Sequence, residues 1–348
     1  MTHGLDTKNF KMYTRRTIML NLIKSLQTDK ITFKNRLVMP PMATAKSKED
    51  GKVSGSVLDY YNEKSQGGYI SLIIIEHSFI LQQGKASENQ MSVADDSVIE
   101  GLKELSNTIH KNGSKTVMQI NFAGSAAKSE ISGEEVVAPS EVVNPLHGGE
   151  VPRKLTKEEI KNIVVAFGKA AGRVKEAGFD GVEIHSAHGY LLNQFFSPLT
   201  NKREDEYGGN VYNRIRIHLE VIKAVREAVG ENFPILLRLA ASDYKDGGIT
   251  IEDSKIAAAE FEKAGIDILD ISGGFCGFAR PGVKEPGYFS PLTEEIKKSV
   301  SIPVILTGGI KEVKDAEQLL TEGKADLIGV ARAIYKDSKW AERAIKGI

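Results

Sequence analysis

Cysteine is almost missing from this chain. One thiol, Cys276, in 348 residues excludes an internal disulfide and any iron–sulfur cluster held by several thiolates, and it fits a cytoplasmic setting. An excess of one charge is missing too. The 46 basic and 46 acidic residues cancel, so nothing recommends a nucleic-acid or membrane-surface partner, and small-molecule chemistry is the expectation. No apolar run reaches membrane-spanning length; the longest, Leu72–Ile75, is strand-sized. The opening residues carry Lys8, Lys11, Arg15 and Arg16 beside a brief patch Ile18–Leu20, too short for a secretion signal. Residues 1–17 read as a poorly ordered extension, and 18–348 as a single domain.

What the chain does have is alternation of short apolar runs with helical periodicity. Strands are expected to begin near 37, 72, 116, 181, 235, 268, 303 and 327. Between them, apolar residues recur at helical spacing, as in Ile99, Leu102, Leu105 and Ile109 and in a helix expected from about Tyr212 to Val229, and glycines such as Gly113, Gly178, Gly230, Gly265 and Gly323 close the helices. Thr156 and Glu159 form a capping-box pattern, with Leu155 and Ile160 as its hydrophobic staple. Eight such units predict one (β/α)8 barrel of the TIM type. A short hairpin over Asp29–Arg36 would cap one end, and the long polar stretch Ala126–Gly149, without periodicity, would be a lid after strand three.

The densest chemistry lies in Gly181–Gly209. A buried strand ends on His185, and His188 and Tyr190 follow within six positions, so two imidazoles and a phenol can donate hydrogen bonds to an anion and deliver a proton. Half of a metal site is the alternative for H-x-x-H. A strand end does not place two ligands on one face as a helix would, and no third ligand cluster stands out, so no metal is expected. A polar turn follows, Ser197–Asn201 with Arg203, Asp205, Tyr207, Gly208 and Gly209, which no core-packing argument requires. Gly308 and Gly309 follow strand seven, and Ala331 and Arg332 follow strand eight, the position where barrels of this kind often hold a phosphate.

The run H-x-x-H-G-Y-L-x-x-x-F-x-S-P-x-x-N-x-R-x-D-x-Y-G-G, in register from His185 to Gly209, resembles the signature loop of the Old Yellow Enzyme family, FMN-dependent ene-reductases on a TIM barrel. The resemblance extends from about Leu22 to the end. It implies noncovalent FMN, NADH or NADPH as donor, and a small activated alkene as substrate: an enal, enone, enoate or nitroalkene. It assigns His185 and His188 to the substrate's activating oxygen and Tyr190 to protonation of its carbon. The N-R-x-V-M-x-P-M segment implies that Pro41, Met42 and Ala43 line the flavin, and Gln119 offers an amide to its uracil-like edge. Gly308, Gly309, Ala331 and Arg332 would take the phosphate.

Three positions leave a choice. Arg238, in an R-x-x-x-S-D-Y segment, would meet charge at the flavin's N1 and O2, with a salt bridge to Asp270 as the alternative. His77, where the family has a small residue, is either a flavin neighbour or a solvent-facing loop histidine. Ala43 stands where relatives carry Thr or Cys, and Asn121–Ser125 replaces a segment close to N-H-A-G-R, so those contributions do not carry over. Longer relatives append an iron–sulfur site and a second domain; without the cysteines, nicotinamide is expected to act directly at the flavin. Amine or alcohol oxidation on the same barrel, or a non-catalytic flavin sensor, are the competing functions, and a homo-oligomer is left open.

Overall fold

Strands that are apolar on both faces need cover on both sides. Ile73 and Ile75 pack with the surrounding helices while Leu72 and Ile74 point into a separate inner cluster, the alternation expected of a strand in a closed sheet. The computed structural model describes residues 21–347. The expected extension at 1–17, and residues 18–20, lie outside them.

Eight parallel strands form a closed barrel in chain order. They are β1 (Leu37–Met39), β2 (Leu72–Phe79), β3 (Lys115–Asn121), β4 (Gly181–Ser186), β5 (Ile235–Ala240), β6 (Ile268–Ser272), β7 (Val304–Thr307) and β8 (Leu327–Gly329), and β8 pairs back onto β1. The outer helices are α1 (Gly55–Ser65), α2 (Ile99–Lys111), α3 (Lys157–Glu176), α4 (Arg216–Val229), α5 (Ile251–Lys263), α6 (Ser290–Lys297), α7 (Val313–Thr321) and α8 (Trp340–Lys346). The expected capping box is present at α3, where Thr156 Oγ1 accepts from Glu159 N at 3.2 Å and Glu159 accepts from Thr156 N at 2.7 Å.

The hairpin exists but in another register. Leu26–Gln27 pairs with Thr32–Phe33, so Asp29 lies in the turn rather than opening a strand. Thr28 decides this by donating its hydroxyl to Ile31 O and accepting from Ile31 N, both at 3.0 Å. Ile31 and Phe33 then pack with Val38, Leu72, Ile74, Val117, Leu236, Ile268, Ile305 and Leu327 and plug the lower end of the barrel. Above this layer the interior turns polar, with Gln119, Glu183, Arg238 and Asp270, so the functional end is the one at the strands' C-termini.

Three further expectations are corrected. The helix expected from Tyr212 to Val229 is broken into Val211–Arg214 and α4, because Arg214 is held by Phe196 O, Gly209 O and Asp253. The lid is not structureless: Ser129–Ser132 is a helical turn, and Val137–Ala138 pairs with Arg153–Lys154. The polar turn after β4 does serve packing. Buried Asn201 donates to Phe195 O and Tyr207 O at 2.7 Å, and buried Arg203 reaches Asp205, Pro139 O and Leu155 O, tying the turn to the lid's small sheet.

Candidate active site

The end of β4 carries His185, buried, opposite Arg238 on β5, which in turn lies opposite Asp270 on β6. After β4 the chain reverses through two left-handed residues, His188 (φ 58°) and Gly189 (φ 73°). That conformation is costly for histidine, and its surroundings impose it. His188 N donates to Gly273 O at 3.2 Å, Gly189 N to Asn193 Oδ1 at 2.7 Å, and Asn144 Nδ2 to Gly189 O at 2.8 Å. The reversal turns the His188 ring edge-on to His185, with centroids 5.2 Å apart, and sets Tyr190 5.0 Å from His185. His188 Nε2 is 2.7 Å from Ser272 Oγ.

Burial governs the protonation of this group. It holds His185 well below the ordinary imidazole range, with His188 and Arg238 adding to the effect, and it does the same to His188, helped by Arg238 and His77. Both rings are therefore neutral. Burial also lifts the Tyr190 phenol to about 12, so it keeps its proton.

His77 lies within β2, at the irregularity in its pairing with β3, rather than at the strand's exit. It is thus not a loop histidine: the ring is half-buried and lines the cavity, 5.1 Å from Tyr190. Arg238 is 4 % exposed, and its Nε approaches Asp270 Oδ2 at 3.4 Å without hydrogen-bond geometry. None of its N–H groups has a hydrogen-bond acceptor among the described residues. The Asp270 alternative thus accounts for charge proximity but leaves the guanidinium's donors unmet. Burial, and then Asp270, push the Glu183 carboxyl well above its usual range, opposed by Arg238.

A cavity of about 700 Å³ opens here, and all thirteen residues singled out from the sequence line it: Pro41, Met42, Ala43, His77, Gln119, His185, His188, Tyr190, Arg238, Gly308, Gly309, Ala331 and Arg332. Pro40 and Pro41 lack N–H groups and end the pairing of β1, and Glu76 anchors the wall they start by accepting from Thr44 N at 2.7 Å and Thr44 Oγ1 at 2.6 Å. At the far end Gly309 has φ 67°, and a Cβ there would lie 2.8 Å from the Tyr288 ring, so only glycine leaves its backbone open to the cavity. Other lining residues have no motif of their own: Leu146 and His147 from the lid, Ser272, Tyr288 and Lys311. His147 stacks on Tyr190 at 5.5 Å and its Nε2 is 2.9 Å from His188 O. An apolar-polar alternation around Ser272 was its only sequence signal. Among the described residues no group of three His, Cys, Asp or Glu is placed to hold a metal ion, and no helix is long and apolar enough to cross a membrane.

Comparison with known proteins agrees with this architecture. The model of the NADH:flavin oxidoreductase / NADH oxidase family matches residues 21–348. An NADH oxidase of Thermoanaerobacter brockii is 42% identical over 94% of this chain, which spans 51% of that protein's length. Thus the chain spans about half the length of the first curated relatives it matches. An NADPH dehydrogenase of Clostridium acetobutylicum is 37% identical over 91% of this chain and 92% of its own. The Old Yellow Enzyme homologue from Zymomonas mobilis superposes with a TM-score of 0.82 at 26% identity, covering 94% of this chain and 93% of its own. A closed barrel of eight strands, matched along nearly its whole described length by these proteins, belongs to the NADH:flavin oxidoreductase / NADH oxidase family, the FMN- and NAD(P)H-using oxidoreductases of the Old Yellow Enzyme type.

Proposed function

We propose that the chain reduces the C=C bond of activated alkenes, with NADH or NADPH as the electron source. One observation carries the reading: two neutral imidazoles and a protonated phenol, centroids 5.0–5.2 Å apart, face one cavity above a buried guanidinium with unmet donors. That guanidinium is what an electron-rich ring system would neutralise, so the residues present fit FMN. Arg238 and Gln119 would hold the ring's polar edge, Pro41, Met42 and Ala43 one face, with His77 at its margin. Gly308, Gly309, Ala331 and Arg332 would hold the phosphate. FMN, when bound and reduced, supplies the hydride equivalent that adds to the alkene's Cβ.

The protein's own contribution is polarisation and proton delivery. His185 and His188 donate N–H groups to the substrate's carbonyl or nitro oxygen and stabilise the charge that develops there. Being neutral, they polarise without transferring their own protons. Tyr190 gives its proton to Cα, and a phenol near 12 is a suitable acid for a carbon that becomes basic only as the reaction proceeds. Tyr190→Phe is expected to slow alkene reduction by about 10²- to 10⁴-fold while leaving reduction of the flavin by NAD(P)H within about twofold of normal. Stopped-flow measurement of the two half-reactions checks this, and equal losses in both would remove Tyr190 from its role.

A further inference from the structure

Beyond the His185 and His188 pair the cavity is lined by two more histidines, His77 and His147; His147 gives its Nε2 proton to His188 O, which leaves His77. Ala86 N donates to Gln90 Oε1 at 2.6 Å, which turns the amide nitrogen of Gln90 toward His77. There Gln90 Nε2 stands 2.8 Å from His77 Nδ1 and 3.2 Å from His77 O. An amide nitrogen only donates, so His77 Nδ1 must accept, and the neutral ring carries its one proton on Nε2. Asn121 Nδ2, 3.5 Å from the same Nδ1, adds a weaker donor on that side. Burial, with His147 and Arg238 nearby, brings His77 down to about 4, so this tautomer persists across neutral pH. His77 Nε2 has no partner among the described residues, and the ring lines the cavity 5.1 Å from Tyr190 and 6.2 Å from His185. A donor so fixed, with its far side braced by a buried Gln90, is oriented for a ligand in the cavity.

We infer that His77 Nε2–H is a specificity-determining donor that reads a second, uncharged acceptor on the substrate, favouring ene-1,4-dicarbonyl compounds such as diesters and cyclic imides over alkenes with one acceptor. The inference rests on the reading of His185 and His188 above. Tyr190 is about equally far from His77 and His185, and all three side chains line one cavity, so a small substrate held by His185 and protonated by Tyr190 comes within reach of His77. In an ene-1,4-dicarbonyl both alkene carbons lie between two carbonyls. A free carboxylate would be disfavoured, because it would bury a full charge against neutral N–H groups.

The test uses two unreactive probes of one ring size, N-methylsuccinimide with two carbonyls and N-methylpyrrolidinone with one, titrated calorimetrically into oxidised holoenzyme. The two-carbonyl probe is expected to bind about three- to tenfold tighter, the worth of one hydrogen bond. His77→Phe keeps a ring but removes the donor and should abolish that ratio while changing the one-carbonyl probe less than about twofold. His77→Gln, which retains an N–H, should restore part of it. A ratio unchanged in His77→Phe, or equal weakening of both probes, overturns the inference. The one-carbonyl probe separates the two readings. If its binding survives in His77→Phe but falls in His188→Ala, a failed ratio counts against His77 alone; if it ignores His188→Ala, the reading of the histidine pair falls and this inference with it.

Discussion

Single side chains here do their work by where burial has set their protonation. His218 illustrates this away from the cavity. It is fully buried on α4, 2.8 Å from Ser186 Oγ and stacked 5.2 Å from Phe261, and burial holds it down to about 3. The unfolded chain takes up this proton first, so the stability His218 confers is complete above its unfolded value near 6.5 and is lost as pH falls from there toward 3. His218→Gln removes the titration and can keep a hydrogen bond. Relative to that variant, the wild type should lose about 1.4 kcal/mol per pH unit below pH 6.5, with parallel behaviour above pH 7.5. Urea midpoints between pH 5 and 8 decide it, and curves parallel throughout would mean that the buried ring titrates normally.

Among the elements, the lid and the turn after β4 act as one piece. Asn144 joins them: its Nδ2 donates to Ser125 Oγ at 3.1 Å and Gly189 O at 2.8 Å, and its Oδ1 accepts from Leu146 N and His147 N at 3.0 Å. Asn144→Ala should free the segment that carries His147 and raise amide exchange at residues 144–149 by about tenfold or more, at a cost of roughly 1–3 kcal/mol locally. Unchanged protection would show that the lid is held elsewhere. None of this was legible in the sequence. Asn144 and His147 sit in a stretch without period, and their partners in the turn after β4, Gly189 O and His188 O, are 45 and 41 residues away. Helices with a stripe and a cap, such as α2 and α3, could be read from spacing alone, whereas α6 and α8, with 8 and 7 residues, are too short to display one. The hairpin's register escaped for a similar reason. Alternation identifies a strand, but Thr28's two bonds to Ile31 chose which residues pair. The cavity lining was readable because strand ends of a barrel converge by construction, so residues placed there by count must meet. That Arg203 and Asn201 brace rather than bind could not be read, since a buried polar residue looks the same in sequence whether its partner is backbone or ligand.

The whole molecule has two unlike ends. The lower one is filled by Phe33, fully buried in the inner aliphatic cluster, and Phe33→Ala should cost about 3–5 kcal/mol and lower the melting temperature by several degrees without altering the cavity. Calorimetry of the variant checks this; a shift below one degree would make the hairpin an ornament of the barrel. With that floor sealed, the cavity beside Tyr190 opens at the strands' C-terminal end of the barrel among the described residues. On the proposed function, an electron donor and an electron acceptor that both use the space above Arg238 would queue for it, each keeping the other out, so the turn-taking of a two-stroke cycle would follow from the shape of the vessel before any rate constant is considered.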